Sequence, residues 1–156
     1  MNYQSATSRG PETDLLTEFD RPVEYAGFWR RFLAAFLDGI VIGVANSLVA
    51  VAMGYPVFDV EREYFDLPGL VGIAISWVYF ALQESSPAMG TLGKRAMGIR
   101  VTNMNGERIT FGQATGRFFG RYISTMILLI GYLMMLWDDK KQTLHDKMAG
   151  TLVVKA

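Results

Sequence analysis

Long apolar runs, separated by short polar segments, dominate the chain beyond its N-terminal tail. The first run covers residues 32–53, and at ~1.5 Å per residue it extends roughly 33 Å as a helix, enough to cross a bilayer core. The second run, residues 67–83, is just long enough to do the same and carries Trp77 and Tyr79 toward one end. The pattern predicts two transmembrane helices, at residues 28–53 and 67–83.

A third apolar run, residues 122–137, measures only about 24 Å as a helix, against a hydrocarbon core of roughly 30 Å. It contains Gly131 near its middle and has basic residues on both sides. One interpretation is a full crossing. The other is a re-entrant hairpin bending near Gly131, which is tolerated where protein covers the backbone. We favour the hairpin, within a helical segment at residues 113–137, and leave the crossing open.

The segment GIRVTNMNGERITF alternates apolar and polar residues around an Asn-Gly pair, which is typical of a β-hairpin. A three-residue loop at residues 104–106 sets Val101 opposite Ile109 and gathers the apolar side chains on one face. The pattern therefore predicts a hairpin over residues 98–111. The β-rich ending TLVVK is suited to add a third strand, because an isolated hairpin is marginal in water.

The domain organisation follows from these elements. Residues 1–22 are polar and lack the apolar core of a signal peptide, so we expect a flexible tail. Residues 23–156 then form one all-α membrane domain with two transmembrane helices, a small cytoplasmic β-hairpin and a short re-entrant helical segment. A C-terminal motif and strand follow at residues 142–155. No internal repeat is apparent along the chain.

Basic residues set the expected orientation, because they are retained on the cytoplasmic side. Arg30 and Arg31 precede the first run, the loop GYPVFDVEREYFD after it is net acidic, and Lys94 and Arg95 follow the second run. We therefore expect a multi-pass protein with a cytoplasmic N-terminus. Lys94 and Arg95 either set this topology as solvated charges or contact lipid phosphates.

Composition and charge remove several classes of function. The formal net charge is zero, so nothing attracts nucleic acid in general, and the absence of cysteine excludes disulfides and thiolate metal sites. His145 is the only histidine, which makes a zinc site improbable. His145 and Asp146 lack a placed nucleophile and do not make a hydrolase. We expect no enzyme activity, no cofactor and no metal.

Asp38 is the only formally charged residue in the first apolar run. An ionised aspartate within a membrane helix costs ~3 kcal/mol by insertion scales, so it requires a partner. Arg31 lies two turns earlier on the same face, and Arg117 and Arg121 precede the third run. We therefore expect structural pairing of Asp38 with arginine. A cation or proton site is the alternative that stays open, because intramembrane carboxylates often line ion paths.

Two stripes of small residues share a four-residue spacing. They are Ala35, Gly39, Gly43 and Ser47 in the first helix, and Gly112, Gly116, Gly120 and Ser124 at the start of the third. Such spacing allows close helix approach in lipid, so the match predicts that these helices pack together. The alternative is that the stripes mediate self-association. Asn46 adds a polar group to the first helix. We expect it to hydrogen-bond to the second helix, and the alternative is that it lines a wet cavity.

Three ordered motifs together resemble the RDD family of small bacterial membrane proteins. They are RFLAAFLD with Arg31 and Asp38, TLGKRAMGIRVTNMNGERITF with Gly93 and Lys94, and QTLHDKMAGTLVV with His145 and Asp146. The resemblance covers residues 25–155 and implies a helical domain of the bacterial inner membrane, with its motifs near the cytoplasmic face. It implies no defined activity, although ligand transport has been suggested for the family and some members are associated with cation/proton exchange.

These observations predict a membrane transport component for a cation or small ligand, with proton coupling. Its polar centre consists of Arg31, Asp38, Asn46, Arg117 and Arg121. The alternative is a non-catalytic membrane module that assembles with itself or a partner, in which the polar centre is structural. Since three helices are few for an alternating-access carrier, we expect a homo-oligomer in the lipid bilayer, with a cation or proton as ligand.

Overall fold

The computed structural model describes residues 23–56, 66–126 and 133–156. Its elements in chain order are helix α1 (Phe28–Ala52), helix α2 (Leu67–Glu84), short helix α3 (Leu92–Ala96), strand β1 (Ile99–Asn103), helix α4 (Phe111–Met126), a 3-10 helix (Met134–Leu136), short helix α5 (Leu144–Met148) and strand β2 (Thr151–Lys155). The protein is therefore mostly helical, with one small two-stranded antiparallel sheet.

Helices α1 and α2 are, within the described residues, the two that are long and apolar enough to cross a membrane. Apolar side chains such as Phe36 face outward, whereas Asp38 and Glu84 are buried. Apolar side chains outside and charged side chains inside suit a helix pair in lipid, because no water is available there to solvate a charge. The pair runs antiparallel, since Asp38 contacts Tyr79 and Asn46 lies against Gly72.

The predicted hairpin over residues 98–111 is wrong in its second strand. β1 pairs instead with β2, the β-rich ending that we expected to be a third strand. The turn itself forms, with Gly106 at φ 82°. Thr102 bridges to Arg108, the register that the three-residue loop predicts, but pairing extends no further as a strand.

The second strand is cut short because a helix begins there. The Thr110 hydroxyl accepts a hydrogen bond from the backbone N–H of Gln113 at 3.2 Å, and the Gln113 side chain accepts one from the N–H of Thr110 at 3.0 Å. This reciprocal cap satisfies two backbone donors and starts α4 at Phe111. Ile109 still packs in the core, whereas Phe111 turns outward against the ring of Trp77.

The sheet fastens the chain just before α1 to the C-terminus. The N–H of Ala26 donates to the carbonyl of Val153 at 2.9 Å, and Tyr25 bridges to Val154. Ala26, Val101 and Val153 belong to one buried hydrophobic cluster. The start of α1 and both strands therefore lie at the same end of the helix pair, beside the C-terminal end of α2.

Helix α4 packs mainly against α2 and α5. The indole N–H of Trp77 donates to the Thr115 hydroxyl at 3.1 Å. α4 begins two residues before the predicted start of the third helix, and the structure describes it as far as Met126. Residues 127–132, with the predicted bend at Gly131, lie outside the described residues.

The predicted packing of the two small-residue stripes is wrong. A Cβ built on Gly39, Gly43 or Gly116 would meet nothing within 4 Å. In the second stripe Gly120 does make a close contact, but with His145 of α5, whose Cβ would lie 3.0 Å from the added atom. The physical reason is that arginines on α4 bond to acids in α2 and α5, and those bonds orient the helix.

Two segments of the chain fold alike, contrary to the expectation of no internal repeat. Unit 1 (residues 91–101, TLGKRAMGIRV) and unit 2 (residues 143–153, TLHDKMAGTLV) share threonine, leucine, glycine and valine at matching positions. In each unit a threonine precedes a short helix, a glycine at φ 62° follows it, and a strand begins next. Val101 lies opposite its own counterpart, Val153, so the paired strands have approximate twofold symmetry.

The resemblance extends to the long helix on which each unit packs. α1 packs on α3 of unit 1, and α4 packs on α5 of unit 2. Both long helices enter that contact with an Arg-Phe pair, at Arg31 in α1 and Arg117 in α4. The fold therefore brings two related helix–unit pairs together around the sheet.

Candidate functional site

Charged side chains gather in the interior where α2 ends. The ion cluster comprises two acids and four bases: Glu84, Asp146, Arg31, Lys94, Arg117 and Arg121. Each acid contacts at least two of the bases. Because both acids are fully buried, their charges depend on these partners rather than on water.

Arg117 is the centre of the ion cluster and is only 1% exposed. Its Nε donates to Oε2 of Glu84 at 2.9 Å, and its Nη1 donates to Oδ1 of Asp146 and to the Thr151 hydroxyl. A guanidinium suits this position because it keeps its charge and presents donors in fixed directions. Arg117 thereby joins the end of α2 to unit 2.

Asp146 receives a second arginine from α1. Nη1 of Arg31 donates to Oδ2 of Asp146 at 2.5 Å, and the N–H of Thr143 donates to the same oxygen at 3.1 Å. Burial by itself would raise the pKa of Asp146, but Arg117 and Arg31 hold that pKa well below its usual range. Asp146 therefore fastens the C-terminal motif to Arg31 of α1.

Glu84 receives the remaining bases. It pairs with Lys94 of α3, with Arg117, and with Arg121, whose Nη2 lies 2.5 Å from Oε1. Arg121 also lies over the Phe80 ring at 4.2 Å, a cation–π contact. Burial lowers the pKa of the Lys94 ammonium to about 8, although the charge of Glu84 opposes that change.

Asp38 does not pair with arginine, and this expectation is wrong. Its Oδ1 accepts hydrogen bonds from the Tyr79 hydroxyl and the N–H of Gly93, both at 2.8 Å, and its Oδ2 accepts one from the Thr91 hydroxyl at 2.5 Å. Hydrogen bonds to a carboxylate can replace an ion pair when several donors converge. The close approach of Gly93 makes this possible, since an added Cβ there would lie 2.2 Å from the carbonyl oxygen of Ala34.

His145 packs beside the ion cluster as a neutral ring. Its nitrogens lie 3.1 and 3.3 Å from the Thr143 hydroxyl and 3.5 Å from the Ser124 hydroxyl. Burial lowers the pKa of His145 to about 3, so its 3.7 Å approach to Asp146 is a polar contact rather than an ion pair at neutral pH.

Asn46 stands apart from the other predicted site residues. It lies more than two turns beyond Asp38, roughly 12 Å along α1. It contacts the second helix as expected, since an added Cβ on Gly72 would lie 3.3 Å from Cγ of Asn46. Its Oδ1, however, has no hydrogen-bond partner within the described residues, so the expected interhelical hydrogen bond is not made through this atom.

A cavity of about 460 Å³ opens beside the ion cluster. Its charged lining consists of Asp38, Arg31, Lys94, Arg117 and Arg121. Aromatic and aliphatic side chains, including Phe28, Phe32 and Leu133, form much of the remaining wall. Within the described part of the chain, no group of three or more His, Asp or Glu side chains is arranged to hold a metal ion.

The sequence predictions missed two important residues of this site. Glu84 is not among the residues predicted for the site, yet it is fully buried with three cations. A signal was present, because an acid at the C-terminal end of a helix is unfavourable with the helix dipole and requires a cation nearby. Tyr79 was treated as an interface aromatic, and no pattern in the sequence indicated that it meets Asp38.

Comparison with known proteins gives the family. A profile of the RDD family matches residues 25–150. The chain belongs to the RDD family. An uncharacterized protein of Bacillus subtilis, YxaI, is 39% identical over 83% of this chain and 96% of its own length. An uncharacterized membrane protein of the same organism, YteJ, is 32% identical over 94% of this chain and 88% of its own. No solved structure matches the chain.

The predicted resemblance to the RDD family is thereby confirmed. RDD membership, the description of YteJ and the two long apolar helices make this chain a membrane protein. In this RDD protein the two motif aspartates have different environments. Asp146 accepts hydrogen bonds from two arginines, whereas Asp38 accepts them from neutral donors, so a buried Arg–Asp cluster exists but does not include the predicted pairing of Asp38.

Proposed function

We propose that this RDD protein is a non-catalytic protein of the bacterial inner membrane that binds a small ligand in the cavity beside the ion cluster. In this proposal the ion pairs of the cluster have a structural role, because they fix the positions of the elements around the cavity. Arg117 carries this proposal. It is buried, bonds to acids from α2 and from unit 2, and lines the cavity.

The pairing of the cluster supports a structural role. Removing one partner of a buried ion pair leaves an uncompensated charge and costs about 3 to 5 kcal/mol. Groups committed in this way tie α2, α4 and unit 2 together. They are poorly suited to exchange partners during a transport cycle.

Transport is the second candidate function, and one observation favours it. Asp38 lines the cavity although it is only 1% exposed. A carrier for cations with proton coupling would require Asp38 to exchange its three donors for a cation. The four bases in the same lining oppose that step, because like charges repel strongly where water is scarce. The electrostatics therefore favour a ligand other than a bare cation.

Native mass spectrometry of the protein released from its membrane tests the binding function. We expect the wild-type chain to retain a small molecule that is lost from Ala35→Phe, because Ala35 lines the cavity and a phenyl ring would fill it without changing any charge. Ala52→Phe, at an exposed position of the same helix outside both the lining and the small-residue stripe, is the matched control. A wild-type mass equal to the bare chain would contradict the proposal.

The transport candidate has a separate test. If Asp38 carries cations, proteoliposomes with the wild-type protein give cation-dependent flux, and Asp38→Asn abolishes it while the protein stays folded. We expect no flux from either protein, and a lower thermal unfolding temperature for Asp38→Asn because Gly93 and Thr91 lose an ionised acceptor.

We further propose that the sheet end of the helix pair faces the cytoplasm and that the third apolar segment is re-entrant. Basic residues flank this end, and β2 pairs with β1, which follows α2. Both termini of the described chain then lie on one side of the membrane. A cytoplasmic reporter fused after Ala156 should be active, and a periplasmic signal would contradict this topology.

Self-association is the third part of the proposal. Gly39 and Gly43 have open space above them, which leaves this stripe available to a second copy in the bilayer. We expect Gly43→Leu to shift the purified protein toward the monomer in sedimentation, whereas Val44→Leu, an exposed neighbour, should not. Identical sedimentation of Gly43→Leu and wild type would contradict assembly through this stripe.

A further inference from the structure

The lining of the cavity has an unbalanced charge. Among the lining residues that the structure describes, four are bases and Asp38 is the one acid. Glu84 and Asp146 stand behind the bases and offset part of their charge. With neutral His145, four bases and three acids leave a residual formal charge of one positive unit.

An excess positive charge in a buried place is unfavourable unless an anion balances it. Each guanidinium can accept an oxyanion in a fixed, planar geometry, and an ammonium adds a point charge. The lining therefore suits one singly charged oxyanion rather than a cation.

Apart from Thr143 and His145, the rest of the wall is apolar. Phe32 and Leu133 both line the cavity, and their side chains are 51% and 40% exposed. The cavity thus has a cationic inner end and an apolar outer end. A ligand that matches both ends carries an anionic head and a hydrocarbon chain.

We propose that the cavity binds an anionic phospholipid, with its phosphate against the bases of the ion cluster and an acyl chain along Phe32 and Leu133. This inference rests on the proposed function and names the ligand class of the same site. Phosphate and carboxylate heads share the required chemistry. The membrane that surrounds the protein supplies the phosphate head, because its phospholipids carry both a phosphate and acyl chains.

The internal repeat supports this location independently. Arg31 of α1 and Arg117 of α4 occupy matching positions in the two helix–unit pairs, and both line the cavity. The cavity therefore lies between the two pairs. Binding sites between structural repeats are a common arrangement in membrane proteins that handle ligands.

Lipid titration of the full-length protein in a non-ionic detergent, followed by native mass spectrometry, tests the proposal. The probes are phosphatidylglycerol, phosphatidylcholine with the same chains, inorganic phosphate and oleate. We expect one phosphatidylglycerol per chain, bound at least about tenfold more tightly than phosphatidylcholine, as a charge-assisted hydrogen bond would give. Inorganic phosphate, which lacks the acyl chain, should bind weakly. The affinity of oleate should lie between those of inorganic phosphate and phosphatidylglycerol.

Two variants address the two ends of the site. Arg121→Gln removes the excess charge while Glu84 keeps Lys94 and Arg117, and it should weaken phosphatidylglycerol binding about tenfold. Ala35→Phe fills the apolar part and should weaken it as much without altering charge. Arg95→Gln, an exposed base outside the lining, is the matched control and should change binding by less than about threefold.

The outcomes separate this inference from the proposed function. Equal binding of the two lipids, or equal losses in Arg121→Gln and Arg95→Gln, would overturn the anionic-lipid site while leaving a small-ligand cavity intact. Inorganic phosphate binding as tightly as phosphatidylglycerol would overturn the lipid assignment in favour of a free anion. A wild-type chain that retains no molecule at all would overturn both proposals.

Discussion

Units 1 and 2 have the same local structure but different chemistry at their third and fourth positions. Unit 1 has Gly93 and Lys94 there, and unit 2 has His145 and Asp146. In unit 1 the glycine lies on the short helix and fits against the backbone of α1. In the pair formed by α4 and unit 2, the glycine lies on the long helix, where Gly120 contacts His145.

Each contact between a long and a short helix thus contains one glycine. The glycine belongs to the short helix α3 in the first contact and to the long helix α4 in the second. The charges are also exchanged between the two pairs. The acid Asp38 belongs to the long helix of the first pair, whereas Asp146 belongs to the short helix of the second. A repeated backbone can therefore keep its packing while the residues that provide space and charge move from one partner to the other.

The largest expected effect comes from removing the charge that unit 2 depends on. Arg117→Met leaves Asp146 with Arg31 alone and weakens its link to α2, so we expect the free energy of unfolding to fall by about 3 to 5 kcal/mol. Denaturant titration in detergent measures this change, and hydrogen exchange should increase in β2 more than in α1. Arg100→Met on the exposed side of β1 is the control. A change below about 1 kcal/mol would mean that unit 2 does not depend on Arg117.

The glycine contacts separate the two units next. Gly93→Ala places a methyl group 2.2 Å from the carbonyl oxygen of Ala34. Because only a movement of the backbone can relieve this overlap, we expect the free energy of unfolding to fall by about 3 kcal/mol. Gly120→Ala meets Cβ of His145 at 3.0 Å and its Cα at 3.4 Å, a much smaller overlap that a slight displacement of α5 would relieve, and should cost about 1 kcal/mol. Thermal unfolding of both variants decides, and equal losses would contradict the difference between the units.

The third comparison concerns pH and His145, which has no ionisable counterpart at Gly93 in unit 1. The folded state keeps His145 neutral to about pH 3, whereas an unfolded histidine takes up a proton near pH 6.5. The unfolded state binds more protons between these values, so stability falls as pH falls, by about 2 kcal/mol from pH 7 to pH 5.

The groups facing His145 fix the range for that measurement. Asp146, Arg117, Arg121 and Lys94 all act on its pKa. The pKa of Asp146 lies well below this range and that of Lys94, at about 8, lies above it. Denaturant titrations at the two pH values should therefore give a slope in wild type that His145→Asn abolishes. An unchanged slope in His145→Asn would assign the pH dependence to another group.

The sequence predicted the helices well and the contacts between them poorly. Helix α1 begins and ends within a residue of the prediction, because an unbroken apolar run in lipid has few alternatives. The strand partner of β1 was wrong because a two-residue cap at Thr110 outweighed an alternating pattern. The partner of Asp38 was wrong because any of several donors satisfies a carboxylate, and spacing along one helix does not choose among them.

The sequence by itself determined that this chain enters a membrane, which residues form its two membrane-length helices, and that charges lie among them. Hydrophobic length and period fix these features locally. Only the tertiary structure decided that Arg117 joins Glu84 to Asp146 and that Asp38 accepts a hydrogen bond from the Tyr79 hydroxyl. The same is true of the pairing of units 1 and 2 through their strands in one sheet. Those pairings join distant parts of the chain, and their energy depends on geometry that no local pattern contains.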